Sequence, residues 1–369
     1  MSRKKSNNQQ QSLILGSYKL IMLLNELFID SNTKFSIFDC LYGLKLFDIN
    51  LGDKIEITIR TGLNDIHEHH RALPNHVMEE YPNRGEYFDI FVKTGFFFKN
   101  YENEFEETLN KIESVNILEG DMLSALAFDT NLYYYQFFTQ FSKILRKRYR
   151  KPKYPINFLV SEGVRKELLS YEAKYKNEDI EDLKFNCADP FLIEDFWNQN
   201  NLKARIKHLA HTDYLKCVDN VYSKLVQEDT TIQNADMDTR IIEGLVKEIR
   251  QERVKLYLFS QDKDFISRAR GIRNIIPVYL EKIPYAKLRE KITCSWEKFS
   301  RFLYILAITF GVITLQFGEI GNIHLYGIWR GKELSDWENE NVKLSSNNLI
   351  LKKVEKDFSI LRNIKLEED

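Results

Sequence analysis

SALAFDTN (124–131), INFLVSEGVRKELL (156–169), NADMDTRII (234–242) and VKLYLFSQDKDF (254–265) decide how this chain folds. Three of them open as a short apolar run, turn at a polar or acidic residue, and continue at helical spacing. Short apolar strands alternating with amphipathic helices are the pattern of an α/β domain with a parallel sheet. Strands are expected at 124–129, 156–161, 254–260 and 275–280, with helices near 131–146, 162–176, 238–252 and 263–271. A helical insertion covers about 177–235.

Each stretch also carries an acid at a matching end of its element. Asp129 ends the first strand and Asp262 ends the third. Glu167 lies about two turns into the helix after the second strand, and Asp238 opens a helix that must start at the same edge. In open α/β sheets, ligands bind outside the carboxyl ends of the strands. Carboxylates gathered there raise one another's pKa unless a cation neutralises them. Hard oxygen donors without Cys or His select Mg²⁺ or Mn²⁺ over zinc. Such an ion activates water and stabilises a leaving oxygen, so the constellation points to phosphodiester hydrolysis. Taken singly, Asp129, Asp238 and Asp264 also read as helix N-caps and Glu167 as a solvated helix charge. Their common placement is what favours chemistry.

In this order AFDTN, SEGVRKEL, DMDTRII and SQDKDF resemble the four acidic motifs of the PIN-domain ribonucleases, over about residues 121–283. That resemblance implies a three-layer PIN-like domain with Asp129, Glu167, Asp238 and Asp262 as metal-binding catalytic acids. Asn131 and Ser260 match polar positions that support such a site, and Asp264 would be an auxiliary acid. Asp236 is a second candidate for the third motif; Asp238 is preferred because Ile241 and Ile242 follow it at helical distance. The resemblance implies Mg²⁺- or Mn²⁺-dependent cleavage of single-stranded RNA. Structure-specific DNA nucleases use the same sheet and acids. From a different class comes a catalytically inactive PIN-like platform for RNA binding or assembly, which the intact set of acids disfavours. The stretch of about 70 residues between Glu167 and Asp238 exceeds that of compact members, hence the insertion.

A second signal lies in KILRKRYRKPKYP (143–155), where Lys143, Arg146, Lys147, Arg148, Arg150, Lys151 and Lys153 stand with no acid among them. Such segments attract nucleic-acid backbones, and Tyr149 and Tyr154 add stacking faces. The ordinary alternative is a helix end whose cations complement the helix dipole. This segment enters a strand at its amino end, opposite the acids, so it would guide a long substrate rather than touch the scissile phosphate. Tyr133, Tyr134, Tyr135, Phe137 and Phe138 read as core packing.

Composition sets the remaining bounds. The 369 residues carry 53 Lys+Arg against 54 Asp+Glu, which excludes a uniformly basic coat. With 25 Phe and 19 Tyr the chain has ample core material and is not mainly disordered. Cys40, Cys187, Cys217 and Cys294 form no CxxC pair, which points to a reducing, cytoplasmic setting. Phe302–Phe317 is too short to span a bilayer and reads as a buried helix running into a core strand at Gly311. No membrane partner is expected, and self-association stays open.

Around the central domain (121–284), residues 1–12 read as a disordered tail and 13–120 as an α+β region without assigned chemistry. That region holds helical spacing at 13–28, a strand at 54–62 and an acidic amphipathic helix at 100–115. His67, His69, His70 and His76 are placed in an irregular surface loop, because no short-range metal template accompanies them. His208 and His211 are assigned to core or surface. Residues 285–369 would supply a helix (286–310) and a hairpin around GEIGN (318–322).

Overall fold

Short apolar runs bounded by polar residues become strands throughout the chain. The computed structural model describes residues 11–29, 33–148, 157–170, 173–231, 234–318 and 321–346. Among them β1 (Gln11–Leu15), β2 (Lys34–Asp39), β3 (Lys45–Asn50) and β4 (Ile55–Ile59) come first. There follow β5 (Ser124–Phe128), β6 (Asn157–Ser161), β7 (Ser223–Val226), β8 (Lys255–Ser260) and β9 (Ile275–Tyr279). β10 (Lys291–Cys294), β11 (Val312–Phe317), β12 (Gly321–Tyr326) and β13 (Val342–Ser346) complete the order. The chain divides into two compact units, one of residues 91–172 and 206–287, the other of residues 1–90, 173–205 and 288–369.

The first unit is built on a parallel sheet in the order β7-β6-β5-β8-β9. All five residues of the central strand SALAF are buried, which is why it reads as a continuous apolar run. Phe128 pairs with Phe259, so β5 and β8 end side by side. An aromatic cluster fills the space beside them: Phe105 lies 4.6 Å from Phe141 and 5.2 Å from Phe259 between ring centroids. Tyr133, Phe137 and Phe138 are buried in this core, as their spacing implies. The helix Glu102–Glu113 contributes Phe105, Leu109 and Ile112 from its apolar face. Strand β7 falls within the stretch expected to be helical. It is an edge strand in which only Val226 is buried, so SKLV carries no apolar run to announce it.

The second unit is a fully antiparallel sheet in the order β1-β13-β12-β11-β2-β3-β4-β10. Residues from both ends of the chain therefore share one sheet, with β11 between β12 and β2. This differs from the expectation of separate regions at 13–120 and 285–369, and pairing between strands some 270 residues apart leaves no local trace in sequence. Residues 173–205 belong to this unit as well, so the stretch 177–235 is not one insertion. Backbone N–H groups of Ala188 and Asp189 donate to Leu41 and Cys40 carbonyls at 3.0 and 3.1 Å.

Three local expectations change here, at the start of the helix before Gly311, at the chain's first strand and at the histidines, while the stretch from Phe302 is as expected. Lys291–Cys294 is a strand paired with β4, and the helix begins only at Trp296, behind its Ser295 N-cap. Gln11 and Ser12 open β1, while residues 1–10 lie outside the described residues. His67, His69 and His70 stand on the helix Leu63–Arg71, anchored by buried Ile66, and His76 on the helix Asn75–Met78, in place of a loop. The apolar stretch from Phe302 is a buried helix ending at Phe310, followed by β11. Gly311 joins them at φ +83°, where a Cβ would sit 2.3 Å from the Phe196 ring. Among the described residues no helix is long and apolar enough to cross a membrane.

Candidate active site

The parallel register places Asp129 and Ser260 beside each other at the carboxyl ends of β5 and β8. The Asp129 N–H continues the ladder by donating to the Phe259 carbonyl at 3.0 Å. Its carboxylate caps the next helix, accepting from Thr130 N–H at 2.6 Å. The other oxygen accepts from Ser260 Oγ and from Asn131 Nδ2, each at 2.5 Å. Ser260 Oγ in turn accepts from Asp262 N–H at 2.8 Å and Asn131 Nδ2 at 3.1 Å. Asn131 Oδ1 takes the Gln261 N–H, and Gln261 Nε2 donates to Tyr101 Oη at 2.6 Å. Asp129 is thus held rigidly and is only 6% exposed. Burial pushes its carboxyl up to about 7, against the pull of the Ser260 and Thr130 hydrogen bonds, with Asp238 and Glu167 adding repulsion.

Glu167 reaches the same edge from the helix Glu162–Leu169, which starts at the Ser161 N-cap directly after β6. Thr130 Oγ1 donates to its carboxylate. Desolvation raises its carboxyl above the usual range, and Asp238 raises it further. Asp238 is raised too, chiefly by desolvation; Arg268 counteracts this, while Asp236 and Asp262 repel. Asp129, Glu167, Asp238 and Asp262 are therefore linked, each to the next, by mutual repulsion. They do not all face it in the same way. Asp262 is exposed, and its carboxylate caps the helix Lys263–Ala269 through the N–H groups of Asp264 and Phe265. Among the described residues, no three His, Cys, Asp or Glu side chains form a group that could hold a metal ion.

The two candidates of the third motif separate clearly. Asp236 is the N-cap of the helix Met237–Glu252, accepting from Thr239 N–H at 3.0 Å. It also pairs with Arg268 at 2.5 Å, and these bonds, the Thr239 contact first, hold its carboxyl well below the usual range. Asp238 lies 3.8 Å from the same guanidinium, looser, and it is the one that senses Asp129 and Glu167. Asp264 is exposed on the short helix after β8, within the field of Arg268.

The basic segment is only partly described. Arg150, Lys151 and Lys153, with Tyr149 and Tyr154, lie outside the described residues. Lys143, Arg146, Lys147 and Arg148 end the helix Phe137–Arg148, and Lys143 and Arg146 are exposed. Arg148 departs from the expected nucleic-acid role. Its guanidinium pairs with Glu106 and, at 3.0 Å, with Glu113 of the helix Glu102–Glu113, and donates to Asn110 Oδ1 at 2.5 Å. Four hydrogen bonds tie this guanidinium to one neighbouring helix, which sequence could not show because the acids lie 35 and 42 residues away. Arg148→Gln is expected to cost about 1 kcal/mol in chemical denaturation, as a partly screened pair does, and to leave the salt dependence of RNA binding unchanged.

Three participants escaped the sequence reading. Thr130 bridges the first acid's helix to Glu167, Arg268 neutralises the third motif, and Lys207 lowers Glu167 from the helix Leu202–Val218. Arg268 stands four residues after Asp264, a spacing that marks a shared helix face. Thr130 and Lys207 offered no comparable signal. His211 is buried and stacked on Tyr214, in keeping with a core role. Chemically, the edge offers a rigid, dry carboxylate with its proton near neutrality, two further raised acids, and oxygen donors only. Comparison of the chain with protein-family models, curated proteins and solved structures found no match in any of the three.

Proposed function

We propose that this protein is a metal-dependent nuclease that hydrolyses RNA phosphodiester bonds at the carboxyl edge of its parallel sheet, in the manner of a PIN-like domain. One observation carries this reading. Asp129 is buried and firmly oriented, and its affinity for a proton is raised first by desolvation and then by the nearby Asp238 and Glu167. A site that raises several carboxylates together is poised to take up positive charge. The oxygen-only donor chemistry suits Mg²⁺ or Mn²⁺; no three of these side chains form a metal-holding group as they stand, so Asp129, Glu167 and Asp238 would have to draw together on the ion as it binds, with Asp262 at the rim. When bound, such an ion would activate a water and stabilise the leaving oxygen. Ser260 and Asn131 fix the Asp129 carboxylate, while Arg268 keeps Asp236 turned to its cap and tempers Asp238.

The test is a cleavage assay on mixed single-stranded RNA and structured DNA, with Mn²⁺ or with EDTA. RNA cleavage in Mn²⁺ that EDTA abolishes is the expected result, together with a melting temperature that climbs with Mn²⁺ concentration. Cleavage of DNA alone would replace the substrate by DNA. Binding of RNA without cleavage in Mn²⁺, and without a shift in melting, would establish the inactive platform instead.

A further inference from the structure

The same unit carries a second feature at the opposite edge of its sheet. A pocket of about 640 Å³ opens where β6 and β7 begin, against the helix Phe137–Arg148. Phe158 lines it from β6, and Tyr222, 47% exposed, stands at the entry to β7. Among the described residues, Lys143, Arg146 and Lys216 supply three cations to its wall and Asp219 one acid. A pocket of this size suits a small ligand, within the roughly 300–1,000 Å³ of known sites. Its chemistry asks for a ligand with an anionic end and a flat aromatic end. An arginine fork matches phosphate oxygens, and an exposed tyrosine ring offers a stacking face.

We propose that this pocket is a nucleotide subsite, which takes one nucleotide of a single-stranded RNA with its phosphate on Arg146 and Lys216 and its base on Tyr222. The identity of the polymer rests on the RNA-directed reading of the acid cluster. The ligand chemistry, a nucleoside phosphate, does not. Such a subsite gives Lys143, Arg146 and Lys216 a role away from the acid cluster: a strand anchored there is held while another part of it reaches the acids.

Binding is measured by fluorescence anisotropy of a labelled single-stranded RNA, in EDTA, with the wild type, Tyr222→Ala and the double variant Arg146→Gln/Lys216→Gln. The double variant should weaken binding about tenfold at moderate salt and lower the log–log salt slope by about 1.4, two phosphate contacts at roughly 0.7 each. Tyr222→Ala should weaken binding at least about fivefold with the slope unchanged, as lost stacking does. Binding in EDTA is read without turnover, so a failure of the cleavage reading leaves this result standing. AMP should displace the RNA at lower concentration than inorganic phosphate. An unchanged slope in the double variant, wild-type binding by Tyr222→Ala, or equal displacement by AMP and phosphate would each overturn the subsite. Circular dichroism of every variant confirms that the fold is retained.

Discussion

Asp129→Asn is expected to lower cleavage by about a hundredfold or more while raising stability at alkaline pH. Asn keeps the volume and one acceptor, so the cap on Thr130 N–H survives. It removes a negative charge from the centre of the acidic field and places an amide where Asn131 Nδ2 now donates. The pH dependence follows from the raised carboxyl, about 7 in the fold against an ordinary 3.8. Between these values the folded protein binds more protons than the unfolded chain, so the wild type loses stability as pH rises through that window. The penalty is absent below about pH 4 and complete above about pH 7, and amounts to at most about 4 kcal/mol. Thermal melts of the Asn variant should therefore match or exceed the wild type at pH 8 and show no such gain at pH 4. Stabilisation by Mn²⁺ should shrink at the same time. An Asp129 that served only as a cap would leave both cleavage and the metal response untouched, and wild-type rates in Asp129→Asn would refute the active-site assignment.

Ser260→Ala should act through Asp129 and show itself in the pH profile. Ser260 is fully buried, and its hydroxyl is the strongest downward pull on the Asp129 carboxyl. Without it the Asp129 proton is held more tightly, and Asp262 N–H loses its acceptor. Cleavage at neutral pH should fall about tenfold, the acid limb of the profile should move to higher pH, and part of the loss should return in alkaline buffer. The unsatisfied N–H and the lost hydroxyl bonds should cost about 1–3 kcal/mol. A uniform drop in rate with an unshifted acid limb would leave Ser260 a purely structural residue. The shift in pH profile is the readout that a packing role does not produce.

Much of the parallel unit was legible because each of its inner strands announces itself. SALAF, NFLVS and KLYLFS are buried on both faces, so they are apolar without alternation, and the acid that follows each helix or strand end marks where the sheet stops. β7 was not legible, because an edge strand needs little apolar surface. The antiparallel unit was legible only in pieces. The strand expected at 54–62 is present, whereas KFSIFD was not expected, and nothing within it tells that its partner is VITLQF, far along the chain.

Sequence alone therefore determined the elements that answer to local chemistry: the parallel strands other than β7, the helices that follow them, the order of the acids, and the break at Gly311. Periodicity and chain-neighbour sterics act over a few residues, and they can be read there. Tertiary structure alone decided the rest. It joined the two ends of the chain in one sheet, turned Arg148 onto Glu106 and Glu113, set Arg268 closer to Asp236 than to Asp238, and buried Asp129 behind Ser260 and Asn131. These are choices among partners distant in sequence, settled by burial and by the satisfaction of charge, and a carboxylate's proton affinity depends on the partners it meets.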